Sequence, residues 1–452
     1  MNNGRQLKVA INVQIAPRIN GGIAPFVASL IYALGRLEDG RESYTIIVRD
    51  QEQVDWLRPY LGSNQSFAIR TPASNRHGYV HEKNGDISFT TLLKRSLGPL
   101  LPAARYLQKL INKQHEWPET PISDGYYESL GCDIIHFASQ GFTLCALPCI
   151  YNPHDLQHLH LPQFWPPSTI ADRETVYQSG CHFARTVIVG SQWIKDDVVR
   201  QYRIHPDKVQ VIPEAPPLQL QVEPTQESLD GVKKRYHLEQ PFALFPAVTW
   251  PHKNHLRLLE ALAHLRDSRG LTIRLVCTGS KDEAFWPQIE KCLDKYALRS
   301  QVKFLGFVSD AELRALHRLS QFLVMPTLFE AISLPIFDAW AETVPVVCSN
   351  VTALPDQVLD AATLFDPYSV ESIADALARV ATDEKLRVDL GKRGARRVKD
   401  FDWTRTAKAY RAVYRRATSN LLTEEDHWLL GWDWMREPKR GLARPGNANC
   451  RL

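Results

Sequence analysis

Methionine and cysteine are scarce in this chain of 452 residues, with 3 and 8 respectively, and neither sign of charge prevails. The cysteines at 132, 145, 149, 181, 277, 292, 348 and 450 form no C-x-x-C pair, so a zinc module is excluded and reduced, buried thiols acting as small hydrophobes are expected. The 54 Lys and Arg against 50 Asp and Glu leave a net charge of +4, without the dense basic tract of a nucleic-acid binder. No N-terminal stretch has the order of a signal peptide, and no apolar run approaches the ~20 residues that span a bilayer. A cytoplasmic protein is the expectation. Apolar residues make up 44% of the chain, enough for two sizeable cores.

The first half alternates strand-like and helix-like runs. LKVAINVQIA (7–16) is followed by RINGGIAPF and then by SLIYALGRL, whose apolar positions recur at helical spacing. Further strands are expected at 44–50, 66–72, 132–139, 148–155, 186–191 and 209–213, several apolar on both faces as a buried parallel sheet requires. Residues 75 to 130, including the amphipathic piece ARYLQKLINK (104–113), do not fit the alternation and read as an outward insertion. PEAPPLQLQVEPTQES (213–228) reads as a linker, because it neither pairs in a sheet nor continues a helix. The alternation restarts with strands expected at 242–248, 272–279, 302–308, 322–327, 344–350 and 362–367. The expected fold class is therefore α/β, with two Rossmann-like, doubly wound parallel-sheet domains facing a cleft. Their bounds are 1–215 and 216–400. A terminal helix at 401–418 is expected to pack back on the first domain, and a tail at 419–452 shows no clear period.

Ligands of such sheets bind beyond the carboxyl ends of strands, and four motifs stand there. Gly21 and Gly22 follow the first strand, where glycines permit positive φ and a helix start offers N–H groups; a plain tight turn is the competing reading. His154 and Asp155 follow PCIYN, and a histidine there serves as a hydrogen-bond donor or proton shuttle. His154, His158 and His160 do not share one helical face, which argues against a metal cluster and for structural histidines. Lys253, in TWPHKNHLRLLEAL, sits in a turn leading into a helix, where its ammonium and the free amides converge on a phosphate; a solvated loop lysine is the alternative. In LFEAISLPIFDAW (328–340), Pro335 suits the first helical position and Asp338 falls near the helix's positive end, where its carboxylate stays charged while accepting from hydroxyls. Glu330 reaches the same cleft from another direction. Two acceptors with a helix start between them suit a ligand bearing hydroxyls at both ends and phosphates in the middle, the shape of a nucleotide-sugar.

These residues resemble the retaining glycosyltransferases of family 4, two-domain GT-B enzymes whose second domain shows E-x7-E in runs such as EGFGLPVLEA. The likeness covers almost the whole chain in order: GGIAPF, the HD at 154–155, SQWIKDDV, DKVQVIP, WPHKN, EAISLPIFD, FLGFVSDAEL and FDWTRTA. The TWPHKNH wording is similar to that of members building bacterial surface polysaccharides. The resemblance implies that Glu330 binds the donor sugar's hydroxyls and that the amides of Ile332, Ser333 and Leu334 meet sugar and phosphate. It implies that Asp338 holds the ribose and Lys253 neutralises the diphosphate. Gly21 and Gly22 would close over it, His154 would lie beside the reactive carbon, and Gly279 and Phe307 would line the nucleoside. No cofactor is implied beyond the UDP- or GDP-sugar substrate, and no metal, since the one D-x-D, Asp400 to Asp402, reads as a loop and cap. The implied partners are that donor and a glycan or lipid-linked acceptor, with helix 402–418 or the 104–113 piece touching an anionic membrane surface, and no nucleic acid. Three departures stand out: Asp338 replaces the second Glu, Ala331 and Ser333 replace both loop glycines, and Val248 replaces an Arg, leaving Lys253 with only His252 to assist it. A non-catalytic binding or scaffold member of the fold, and a nucleotide-sugar epimerase of the same fold, stay open as alternatives.

Overall fold

The computed structural model describes residues 6–15, 22–71, 119–216 and 223–434. Gly21, the piece at 104–113 and the stretch after 434 lie outside them.

Among the described residues, thirteen strands form two wholly parallel sheets. The first contains β1 (Leu7–Asn12), β2 (Glu42–Val48), β3 (Gln65–Ile69), β4 (Ile134–Phe137), β5 (Cys149–Tyr151), β6 (Thr186–Val189) and β7 (Val209–Val211), in the order β3-β2-β1-β4-β5-β6-β7. The second contains β8 (Phe242–Pro246), β9 (Arg274–Thr278), β10 (Val302–Phe304), β11 (Phe322–Met325), β12 (Val346–Ser349) and β13 (Ala362–Phe365), in the order β10-β9-β8-β11-β12-β13. Every strand falls within a run expected from the sequence or within two residues of one. The central strands are buried on both faces, which is why they read as continuous apolar runs. Each order reverses once, at β1/β4 and at β8/β11, and the crevice at such a switch point is where doubly wound sheets hold ligands.

Two organisational expectations change. The Pro-rich stretch at 213–228 is not a free linker throughout: Pro213, Ala215 and Pro216 are buried, and a helix, Gln226–Tyr236, starts inside it, capped by Thr225. Prolines at its front obscured the Thr225 cap to the eye. The tail is likewise structured as far as Trp434. A capping box at Thr423 opens the helix Glu424–Gly431, whose Trp428 stacks on Trp432 just beyond it, and Trp432 meets Trp434 at a tilt.

The terminal helix, Trp403–Ala417, begins where Asp402 accepts from the amides of Thr404 and Arg405. Eleven of its fifteen residues are buried. Its aromatic face enters the first sheet's layer, where Tyr414 bonds His136 at 2.9 Å and the Tyr410 hydroxyl accepts from Asn152 at 2.8 Å. Three of its cations are paired internally: Arg411 to Asp39 (2.5 Å), Arg415 to Glu42 (2.7 Å) and Asp426 (2.8 Å), and Lys408 to Glu425 (2.9 Å). The helix is thus a packed element, as the expectation that it returns to the first domain requires. No helix among the described residues is long and apolar enough to cross a bilayer.

Candidate active site

Lys253 and Glu330 follow β8 and β11, the two strands flanking the second switch point. After β8 the chain makes a single 3-10 turn, Pro251–Lys253, and then Asn254 adopts a left-handed conformation at φ 64°. The buried Asn254 amide donates to the carbonyls of Pro326 and Pro367, both at 2.9 Å, clamping the turn to the loops after β11 and β13. A second clamp joins the same loops, with the Leu328 N–H donating to the His252 carbonyl at 2.8 Å. Glu330 is fixed by its main chain: its N–H donates to the Thr352 hydroxyl at 3.0 Å, which donates back to the Glu330 carbonyl at 2.6 Å. With both backbones held, Lys253 Nζ meets Glu330 Oε1 at 2.6 Å, the side chains 17% and 12% exposed. His252 adds no charge to this pair, against the sequence expectation: burial first, and then the Lys253 ammonium, keep its pKa well below the ordinary histidine value.

The helix Leu334–Ala341 starts three residues beyond the Glu330–Ala331 turn, with Leu334 first and Pro335 second, one position later than expected. Gln357, fully buried, brackets the Ser333 peptide by accepting from its N–H at 2.8 Å and donating to its carbonyl at 2.9 Å. The Ser333 amide is thus already paired, which leaves Ile332 and Leu334 to present N–H groups at this helix start. The Ser333 hydroxyl is buried without a partner. Its φ of −106° and ψ of 103° are ordinary for any residue, and Ala331 has no positive φ either, so the missing glycines impose no backbone strain.

Asp338 lies on the second turn of the same helix. Its Oδ1 is buried without a hydrogen-bond partner. Burial, aided by the Asp310 and Glu342 carboxylates and opposed by Arg314, pushes its pKa from the ordinary 3.8 up to about 7. Burial thus works against the charged carboxylate that the helix position suggests, because the second turn is too far from the helix start for its dipole to offset that burial.

On the facing sheet, Gly22 precedes the helix Ile23–Leu34 at φ −59°, so it uses no positive φ. A side chain there would still come within 4.0 Å of Leu334 Cδ1, which sets the starts of the two helices opposite each other across the cleft. A side chain at Gly190, after β6, would reach Ile332 at 3.8 Å. Phe329 packs its ring at 5.5 Å from His160 and 5.7 Å from Trp193, seating the Glu330 loop on the first sheet's layer. His154 has φ 63° and lies edge-on to Phe26 at 5.0 Å. Its Nε2 bonds the Ala138 carbonyl, after β4, at 3.0 Å, while Nδ1 faces Glu214 at 3.8 Å. The three histidines therefore have three carboxylates: Glu214 for His154, Glu174 for His158 at 2.7 Å, and Asp197 for His160 at 2.6 Å.

Gly279, after β9, needs to be glycine: its φ is 106°, and a Cβ would lie 2.7 Å from the Ala247 carbonyl carbon. Phe307 is 70% exposed beyond β10, a free ring next to the left-handed Gly306. Four contributors were missed from the sequence. Asn254 carries a signal, since asparagine tolerates left-handed φ, whereas Thr352, Gln357 and Glu214 act over long separations and carry none.

Comparison with known proteins places this arrangement. Residues 231–397 match the family model described as glycosyl transferases group 1, and residues 71–217 match that of glycosyltransferase family 4. The chain is 26% identical over 276 residues to O-antigen chain mannosyltransferase B of Escherichia coli, covering 58% of this chain and 69% of that one. It is 28% identical over 304 residues to the MMP alpha-(1->4)-mannosyltransferase of Mycolicibacterium hassiacum, covering 65% and 70%. In fold it is similar to a glycosyltransferase from Rickettsia africae, with a TM-score of 0.63 and 15% identity over 92% of this chain and 100% of that one. Two adjoining family matches, one on each sheet's half, and the double parallel-sheet architecture agree that this chain is a GT-B glycosyltransferase carrying a glycosyltransferase family 4 domain and a glycosyl transferases group 1 domain.

Proposed function

We propose that the protein transfers a sugar, with retention, from a UDP- or GDP-sugar to a glycan or lipid-linked acceptor in the making of a cell-surface polysaccharide. The observation that carries this reading is the Lys253–Glu330 pair at the β8/β11 switch point, beside a helix start that faces a second helix start. A departing nucleoside diphosphate gathers negative charge on its phosphate oxygens. An ammonium and oriented N–H groups fixed in advance stabilise that charge more than they stabilise the bound donor. Lys253 would exchange its bond to Glu330 for one to the diphosphate, which frees the Glu330 carboxylate to accept from sugar hydroxyls. The partnerless Oδ1 of Asp338 would accept from, or once protonated donate to, the ribose. Phe307 offers a ring face to the base. His154, after β5, sets its ring between Phe26 of the first helix and the Ala138 carbonyl after β4, and would lie beside the sugar's reactive carbon.

Ser333 has ordinary extended angles and Ala331 no positive φ, so two of the three departures that motivate a non-catalytic reading put no strain on the loop, and Val248 is the departure that still favours it. The mannosyltransferase names of the relatives make mannose the first sugar to try. The test is release of nucleoside diphosphate from a panel of UDP- and GDP-sugars with cell-envelope glycans present, followed by assignment of the product's anomeric configuration. Turnover with the donor's configuration retained is expected. No turnover of any donor, or an inverted product, overturns the proposal.

A further inference from the structure

Glu214 stands in the stretch that leaves β7 toward the second sheet, two residues before the described chain breaks off. Its position is not left to chance. The neighbouring Pro213 carbonyl accepts from Thr406 of the terminal helix at 3.0 Å, and Ala215 beyond it is fully buried. The Glu214 side chain is 12% exposed and points one carboxylate oxygen at His154 Nδ1, 3.8 Å away. Across the ring, Nε2 lies 3.0 Å from the Ala138 carbonyl, an acceptor only, so this nitrogen carries the proton. Nε2 is therefore hydrogen-bonded within the protein, while Nδ1 faces the carboxylate at ion-pair distance, which attracts the ring once it is protonated. The backbone beneath is held in a sparsely populated conformation: His154 is at φ 63°, and the Asp155 N–H closes a three-residue turn on the Pro153 carbonyl at 2.9 Å. Such strain persists only where the surroundings over-determine it.

We propose that Glu214 is a positioning residue for His154, locking the imidazole between a carboxylate and a carbonyl so that it meets the ligand as a fixed group and not as a free proton shuttle. The inference rests on reading the cleft as the donor site. One structural link supports this role: the carbonyl of the preceding residue, Pro213, is tied to Thr406 of the terminal helix, which fixes the backbone from which the Glu214 carboxylate faces the ring. Among the described residues, the charged and titratable groups around that ring are Glu214 after β7, Asp155 from its own turn, His136 from β4, and Tyr410 from the terminal helix, while the first helix contributes the Phe26 ring. Burial alone would favour the neutral imidazole. The Glu214 carboxylate outweighs it, supported by the Ala138 carbonyl and Asp155, and raises the His154 pKa above the ordinary histidine value. The charged ring is thus favoured below that raised value and lost as pH climbs through it.

The test follows the His154 ring by NMR titration of the full chain, its signal assigned by its loss in His154→Asn, together with kcat/KM against pH for whichever donor is turned over. In Glu214→Gln the His154 midpoint is expected to fall, since burial is then opposed only by the Ala138 carbonyl and Asp155, and kcat/KM at neutral pH to fall by about tenfold or more as the ring loses its fixed position. Glu214→Asp should restore part of both and serves as the folded alternative should Glu214→Gln unfold. A titration midpoint unchanged in Glu214→Gln overturns the proposal, as does a lowered midpoint with an unaltered pH–rate profile. A wild-type ring titrating below an ordinary histidine overturns it without any variant. Should wild-type protein turn over no donor, the transfer reading fails by itself, and the titration still decides whether Glu214 holds the ring.

Discussion

Removing either half of the Lys253–Glu330 pair should separate its structural role from its chemical one. The two side chains meet at 2.6 Å and are 17% and 12% exposed, so the pair is neither a surface bridge nor fully buried. Exposed pairs contribute about 0–1 kcal/mol, and breaking a fully buried one by deleting a single partner costs about 3–5 kcal/mol. Lys253→Met leaves the Glu330 carboxylate without its cation, and a loss of about 1–3 kcal/mol in unfolding free energy is expected. The double variant Lys253→Met/Glu330→Gln removes the stranded charge as well and should recover at least about 1 kcal/mol of that loss. Activity should not recover with it. An ammonium that meets the departing diphosphate is expected to contribute about 3–4 kcal/mol, so kcat/KM should drop by about 10² to 10³ in both variants. Urea denaturation and initial rates of nucleoside diphosphate release measure the two quantities on the same preparations. The reasoning fails if Lys253→Met keeps kcat/KM within about threefold of wild type, or if the double variant regains activity in step with stability.

Two further substitutions probe the surroundings of that pair. Because Asp338 holds its proton up to about pH 7 when folded and releases it near 3.8 when unfolded, its contribution favours the folded state in acid and declines as pH rises through that window. Asp338→Asn should match wild-type stability near pH 4 and exceed it at pH 8 by on the order of 2 kcal/mol, read from urea midpoints; a gain confined to acid would contradict the assignment. Gly279→Ala forces a methyl group to 2.7 Å from the Ala247 backbone at φ 106°, and a loss of about 2 kcal/mol or more in unfolding free energy is expected, with near-neutral behaviour counting against the close approach.

Much of the architecture was legible because buried parallel strands announce themselves as apolar runs, and all thirteen lie at the places those runs marked. The helix start at Leu334 was legible to within one residue through Pro335. What local pattern could not convey was pairing over distance. Gln357 reaches back twenty-four residues to occupy the Ser333 amide, and Thr352 reaches twenty-two to bracket Glu330. Glu214 was hidden by a Pro-rich composition that reads as linker. Charge state was also out of reach of spacing: the helix position of Asp338 suggested a stabilised carboxylate, whereas burial with Asp310 and Glu342 nearby decides otherwise. The terminal helix was legible as an element packed on the first domain, whereas its acidic partners Asp39, Glu42, Glu425 and Asp426 were not, since none lies within its own span.

The central claim is that a nucleotide-sugar lies across the β8/β11 switch point and takes Lys253 away from Glu330. A crystal structure of the protein with the nucleoside diphosphate of its preferred donor tests this most directly. The account predicts a phosphate oxygen within hydrogen-bonding distance of Lys253 Nζ, the 2.6 Å bond to Glu330 broken, and the ribose against Asp338. A nucleotide bound elsewhere, with Lys253 still on Glu330, would contradict it.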